Sequence, residues 1–98
     1  MQFFLVHIEL PEFSEEMARI LADQKEYTLQ LIEEGTLVSV SVGMLMEDIW
    51  IVLKALSEQR AMEIVGMLPL HPYFKDVSCS RLLMHLEGSH VFSPLSMN

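Results

Sequence analysis

Two prolines, Pro69 and Pro72, fix the path of the chain between its second predicted helix and its last predicted strand. Pro69 ends an amphipathic helix over residues 58–67, because proline lacks an amide donor and disfavours helical geometry in the residue before it. The segment 68–73 (LPLHPY) is therefore a short, rigid turn. The sequence predicts a helix, this turn, and then a strand within residues 74–85.

Alternation and capping residues place the other elements. Residues 2–10 alternate between two faces, which is typical of a strand. Ser14 fits the N-cap of a helix that runs to Glu34, and Gly35 fits the position just after its end. The rest of the prediction comprises a second strand over residues 37–46, a tight connection at Glu47-Asp48, a third strand over residues 49–55, and a helix capped by Ser57.

The element order βαββαβ predicts a ferredoxin-like α+β sandwich with a four-stranded antiparallel sheet. We expect one domain over residues 1–98, in which residues 86–98 form a C-terminal tail. Both helices then cover the same face of the sheet. The other face is bare, so its side chains decide what else the sheet can contact.

The composition indicates what covers the bare face. The chain is 51% hydrophobic over only 98 residues, which is more apolar side chain than so small a domain can bury. On the bare face, apolar Phe3, Leu5 and Trp50 lie beside small Ser39 and Ser41. We therefore predict that a second copy packs over this face, giving a dimeric α/β barrel with a cavity between the sheets, or a larger homo-oligomer.

Charge and hydropathy exclude several partners and compartments. The net charge is −8, and the six basic residues form no patch, so we expect neither nucleic acid nor an anionic membrane as partner. No apolar run is long enough to span a bilayer, and the N-terminus lacks the basic region of a signal peptide. A single cysteine, Cys79, suits a reducing compartment. These features predict a cytoplasmic protein.

The sequence offers no cofactor or metal motif. The histidines at positions 7, 71, 85 and 90 lack the spacing of metal ligands, and there is no glycine-rich phosphate loop. We therefore expect no cofactor and no metal. Cys79 alternates with Val77 and is expected to be a small core residue.

The turn carries a resemblance to a known family. Leu68, Pro69, Leu70, Pro72 and Tyr73 resemble the Leu-Pro-Leu-x-Pro-Tyr signature of the muconolactone isomerase family. The similarity spans nearly the whole chain, with Gly35, Ser57 and His85 at matching positions. It implies the same βαββαβ fold and an isomerase that moves a proton on a small lactone of aromatic catabolism.

Polar positions depart from the family pattern. The isomerases carry a Glu-Lys pair on the first helix, where this chain has Gln24-Lys25, and a glutamine cannot take a proton. They also place aromatic and arginine side chains on the second strand, where this chain has Leu37, Ser41 and Val42. We therefore expect a substrate other than muconolactone.

His7 and Glu9 are the candidate catalytic residues. They project two residues apart from the bare face, so His7 can carry a proton while Glu9 orients it. The alternative is a hydrogen-bonded pair at the dimer interface. The candidate substrate-binding residues lie on the first helix, the sheet and the turn, and they are Gln24, Lys25, Ser39, Ser41, Trp50 and His71. For Lys25 and His71 the alternative is a solvated surface position.

Three functions fit these residues. The first is an isomerase or other proton-transfer enzyme that acts on a small organic acid or lactone in the cavity between the sheets. The second is a non-catalytic protein that holds a small organic ligand there. The third is a structural oligomer with a filled barrel. What lines the cavity discriminates among them.

Overall fold

The computed structural model describes residues 1–86, which fold into one antiparallel sheet with two helices. Residues 87–98, which make up nearly all of the expected tail, lie outside the described part. A single 3-10 turn at His71–Tyr73 follows the second helix. The elements in chain order are β1 (Gln2–Glu9), α1 (Glu15–Glu33), β2 (Leu37–Val42), β3 (Asp48–Ala55), α2 (Glu58–Gly66) and β4 (Asp76–Leu82).

Alternate side chains of the central strand β1 point to the two sides of the sheet. The strand order is β2-β3-β1-β4 with every neighbour antiparallel, so the predicted ferredoxin-like α+β fold is confirmed. Phe4, Val6 and Ile8 are at most 1% exposed and form the centre of the core on the helix-covered side. Phe3 and Leu5 point to the opposite side, called here the open face, as do their partners on β3 and β4. The residues of β2 that pair with the open-face residues of β3 lie on the same face.

The helix ends follow the capping residues. The Ser14 and Ser57 hydroxyls each accept a hydrogen bond from a backbone amide three residues on, at 3.2 and 3.1 Å. Gly35 has a φ of 78°, and the amides of Gly35 and Thr36 return to the carbonyls of Ile32 and Leu31. This double return of hydrogen bonds ends α1 where the sequence predicts.

The second strand is shorter than its predicted span of residues 37–46. It ends at Val42, because the Gly43 amide already donates to the Asp48 carbonyl at 2.8 Å and closes a hairpin. Met46 turns the chain with a φ of 58°, a conformation that non-glycine residues seldom adopt. The predicted connection at Glu47-Asp48 is therefore wrong for Asp48, which is the first residue of β3.

Both helices present one apolar side to the sheet and a charged side to solvent. Met17 and Leu31 of α1 and Ala61, Ile64 and Val65 of α2 are buried. Among residues 1–86, neither helix has the length and hydropathy needed to cross a bilayer.

Cys79 provides a test of the core on β4. Its side chain packs against the core, and burial raises the pKa of its thiol, with a smaller contribution from the negative charge of Glu58. We expect iodoacetamide to alkylate the native protein at pH 8 more slowly than the urea-unfolded protein, because less thiolate is present. Stability should fall as pH rises above about 9, where only the unfolded thiol ionises readily. Equal alkylation rates would contradict this packing.

The open face provides a test of the predicted dimer. Trp50 is 39% exposed there and stacks on His7, and the Lys54 ammonium lies 5.9 Å from the Phe3 ring centroid. If a second copy covers this face, light scattering should give at least twice the chain mass of 11.3 kDa. Trp50→Asp should then reduce the mass to that of one chain, whereas Met62→Asp on the solvent side of α2 should leave it unchanged. A single-chain mass for the unmodified protein would contradict the prediction.

Candidate functional site

His7 forms a polar contact on the open face. Its Nε2 lies 2.8 Å from Oδ1 of Asp48, and both side chains are partly buried, at 31% and 40% exposure. Trp50 stacks on the imidazole with ring centroids 5.4 Å apart and an interplanar angle of 20°. The carboxylate can only accept, so the Nε2–H donates, and the stacked indole restricts rotation of the ring.

Glu9 completes a cluster with these two residues but does not make the predicted hydrogen bond. One oxygen of its carboxylate, one imidazole nitrogen of His7 and one carboxylate oxygen of Asp48 all lie within 4.8 Å of one another. The hydrogen-bond partner of His7 is Asp48, which no sequence pattern indicated. Strand pairing explains this, because Glu9 lies opposite Asp48 and His7 lies opposite Trp50 in the β1–β3 register.

The two serines predicted for substrate binding also lie on the open face. Ser41 pairs with Trp50, and Ser39 pairs with Val52, both across the β2–β3 ladder. Ser41, Trp50 and His7 therefore lie in this order in one row across β2, β3 and β1. The open face thus combines a histidine–carboxylate contact with small hydroxyl side chains on the edge strand.

Gln24 lies on the other side of the sheet and holds the turn to α1. Its Oε1 accepts the backbone amide of Leu70 at 3.0 Å, and its Nε2 donates to the Thr28 hydroxyl at 3.1 Å. Thr28 in turn donates to the Gln24 carbonyl at 2.7 Å. Because a backbone amide can only donate, this contact fixes which amide atom of Gln24 is the oxygen. The hydrogen bond to Leu70 therefore explains why a polar residue, Gln24, lies beside the apolar side of α1.

An apolar cavity of about 240 Å³ lies between α1 and the helix-covered face of the sheet. It lies toward β2, and its exposed lining residues include Leu21, Leu29 and Met46. Leu21 borders this opening and is 37% exposed. The lining residues are Ile8, Leu10, Phe13, Met17, Leu21, Gln24, Lys25, Thr28, Leu29, Leu37, Val40, Val42, Met46, Ile49, Ile51, Leu68, Leu70 and Phe74.

The cavity lining is poor in chemically reactive groups. Among the described residues that line it, only Gln24, Lys25 and Thr28 are polar, and Lys25 is the one charged side chain. Lys25 is an exposed residue of this lining, so it lies at the opening. No carboxylate or imidazole within residues 1–86 lines this cavity. The lining can hold an apolar body and an anionic group but presents no carboxylate or histidine base.

His71 is neither among the open-face residues described above nor among the residues that line the cavity. It is exposed in the 3-10 turn, and its ring lies at 73° to the ring of Phe74 with centroids 5.5 Å apart. Phe74 lines the cavity, so His71 lies behind a cavity wall.

The predicted site residues therefore fall on two sides of the sheet. His7, Glu9, Ser39, Ser41 and Trp50 lie on the open face, while Gln24 and Lys25 line the cavity beneath α1. All of them were predicted to belong to one cavity between two sheets. Asp48 and Thr28 were not predicted, and only the strand register and the i,i+4 spacing from Gln24 could have indicated them.

The element order βαββαβ and a four-stranded antiparallel sheet in the order β2-β3-β1-β4 define a ferredoxin-like α+β protein. The chain shares this fold with muconolactone isomerase, whose crystal structure matches with a TM-score of 0.68 and 24% identity over 92% of this chain and 97% of that one. The fold implied by the turn signature is therefore confirmed.

A second solved structure has the same architecture. It is 5-chloro-2-hydroxyhydroquinone dehydrochlorinase (TftG) from Burkholderia phenoliruptrix in complex with 2,5-dihydroxybenzoquinone. The TM-score is 0.55 and the identity 14%, over 82% of this chain and 92% of that one. No protein-family model and no curated protein matches the chain.

The hydrogen bond between Gln24 and Leu70 predicts a stability loss. Gln24→Leu keeps the volume of the side chain but leaves the buried Leu70 amide without a partner, so the free energy of unfolding should fall by about 1–3 kcal/mol. Urea denaturation followed by circular dichroism measures this change.

A matched variant controls for helix propensity. Gln30 is on the exposed side of α1, where its Nε2 donates only to Glu34 at 3.3 Å. Gln30→Leu should therefore change stability by about 0.5 kcal/mol or less. Equal losses for the two variants would show that the Leu70 contact contributes nothing specific.

Proposed function

We propose that this protein binds a small, mostly apolar organic acid or lactone in the cavity between α1 and the sheet. The observation that carries the proposal is the lining, in which fifteen of the eighteen residues are apolar and one cation, Lys25, is at the opening. Ligand sites commonly combine an apolar wall with a few polar groups that fix orientation.

The volume restricts the ligand to about one ring. An apolar cavity of about 150 Å³ accommodates benzene, and this cavity measures about 240 Å³. A single ring with one or two substituents therefore fits, while a fused or extended molecule would have to protrude past Leu29 and Met46.

Two groups at the wall can orient such a ligand. The Lys25 ammonium supplies a positive charge for a carboxylate or a polarised carbonyl oxygen. Gln24 Nε2 retains one N–H after donating to Thr28, and this second N–H is available to a ligand oxygen. The net charge of −8 repels anions from the chain as a whole, so binding of an anion here depends on the positive charge of Lys25.

The two structures of the same fold support a small cyclic ligand. One is muconolactone isomerase, and the other is a dehydrochlorinase with a dihydroxybenzoquinone bound. Both names refer to small ring compounds that carry several oxygens. A ring of that size agrees with the volume and the polar groups of this cavity.

The isomerase activity expected from the sequence stays a prediction. It would require a proton-accepting group next to the bound substrate. The carboxylate–imidazole contact between His7 and Asp48 lies on the open face and does not line the cavity. A substrate of that pair would have to lie between the open face and a second copy. The homo-oligomer and the cytoplasmic location also stay predictions. Ligand binding requires neither.

A binding experiment tests the proposal directly. We expect benzoate and phenylacetate to bind the wild-type protein and raise its melting temperature, with benzyl alcohol about tenfold weaker because it lacks the charge. Lys25→Met should remove the preference for the anions, while Lys54→Met on the open face should retain it. Val42→Trp at the cavity wall should weaken all three ligands. Equal affinities in wild type and the Lys25 and Val42 variants would overturn the proposal.

A further inference from the structure

The end of the sheet brings together three side chains that no sequence motif groups. His7 and Glu9 project from the same side of β1, and Asp48 begins the neighbouring strand β3. One donor atom from each, an imidazole nitrogen or a carboxylate oxygen, lies within 4.8 Å of the other two. All three are half-buried, so their conformations are restricted without being closed to solvent.

The backbone beneath these side chains is held by hydrogen bonds to other elements. The Glu9 carbonyl accepts from the Lys75 amide at 2.8 Å, and the Asp48 carbonyl accepts from the Gly43 amide at 2.8 Å. The next residues are also joined, because the Leu10 amide donates to the Glu47 carbonyl at 2.8 Å. The spacing of the cluster is therefore set by strand pairing and not by a mobile loop.

Acidic side chains predominate at this end of the sheet, so a bound cation would be stabilised there. Asp48, Glu9 and Asp76 are direct register partners across β3, β1 and β4, and adjacent like charges on one sheet face destabilise it. The adjoining hollow of about 370 Å³ is also lined by Glu12 and Glu47. Lys75 is the one basic side chain among the described residues that line it.

The donor set matches a divalent transition metal. One neutral imidazole and two carboxylates balance the charge of a 2+ ion, and Zn²⁺ accepts both donor types at about 2.0–2.2 Å. Ligands at that distance are at most about 4 Å apart, so rotation of the half-exposed side chains suffices to close the cluster. The adjoining hollow leaves room for water at the remaining coordination positions.

We propose that His7, Glu9 and Asp48 form a binding site for a divalent transition-metal cation, Zn²⁺ foremost, at the end of the sheet. The cation takes the position between Nε2 and the two carboxylates and replaces the present contact between His7 and Asp48. Trp50 holds the imidazole plane from the side. This site is on the opposite side of the sheet from the ligand cavity, so either proposal can fail without the other.

Metal titration of the full-length, chelator-treated protein tests the site. We expect ZnCl₂ to raise the melting temperature and to bind more tightly than MgCl₂ or CaCl₂, which prefer oxygen-only ligands. In calorimetry, His7→Ala, Glu9→Gln and Asp48→Asn should each weaken Zn²⁺ binding by about tenfold or more. His71→Ala removes an exposed histidine from another part of the surface and should leave the affinity unchanged.

A measurement on the unmodified protein complements the variants. In an NMR titration, Mn²⁺ should broaden the amide resonances around residues 7–9 and 47–50 before those of α2. The reason is that the paramagnetic enhancement of relaxation falls steeply with distance from the ion. Zn²⁺ affinity that is retained when all three residues are substituted, or broadening centred elsewhere, would overturn the proposal. The broadening pattern decides the question even if a substituted chain does not fold.

Discussion

The two-residue alternation of the central strand β1 is the constraint on which the rest of the structure depends. Phe4, Val6 and Ile8 must all point to the helix side to form the core, and this forces His7 and Glu9 to the other side. A shift of one residue in the register would exchange the two sets and expose the core. This one requirement places the cavity and the cluster of His7, Glu9 and Asp48 on opposite sides of the sheet.

Elements whose limits depend on nearby residues were predictable. Ser14 and Ser57 cap the helices by accepting amides three residues away, and Gly35 adopts the positive φ that ends α1, all within one turn of chain. The hairpin after Val42 was not predictable, because its left-handed residue is Met46, where glycine or asparagine would be the usual signal. Gly43 continues the alternation of the preceding strand residues, so the sequence alone did not separate it from the strand.

The candidate site shows the same division between local and distant information. Spacing alone placed His7 and Glu9 on one face, because side chains two apart on a strand point the same way. The role of Asp48 depends on the β1–β3 register, and that of Gln24 depends on a bond to Leu70, 46 residues away. No periodicity encodes such contacts, so the sequence indicated the residues but not their partners.

Sulfur chemistry at the cavity opening has its own consequence. Met46 lines the cavity and is 41% exposed, whereas Met17 lines it from within the core at 1% exposure. Peroxide reaches exposed thioethers first, and a sulfoxide is polar and larger than the thioether it replaces. Oxidative damage would therefore change the entrance for an apolar guest while the interior wall stayed intact.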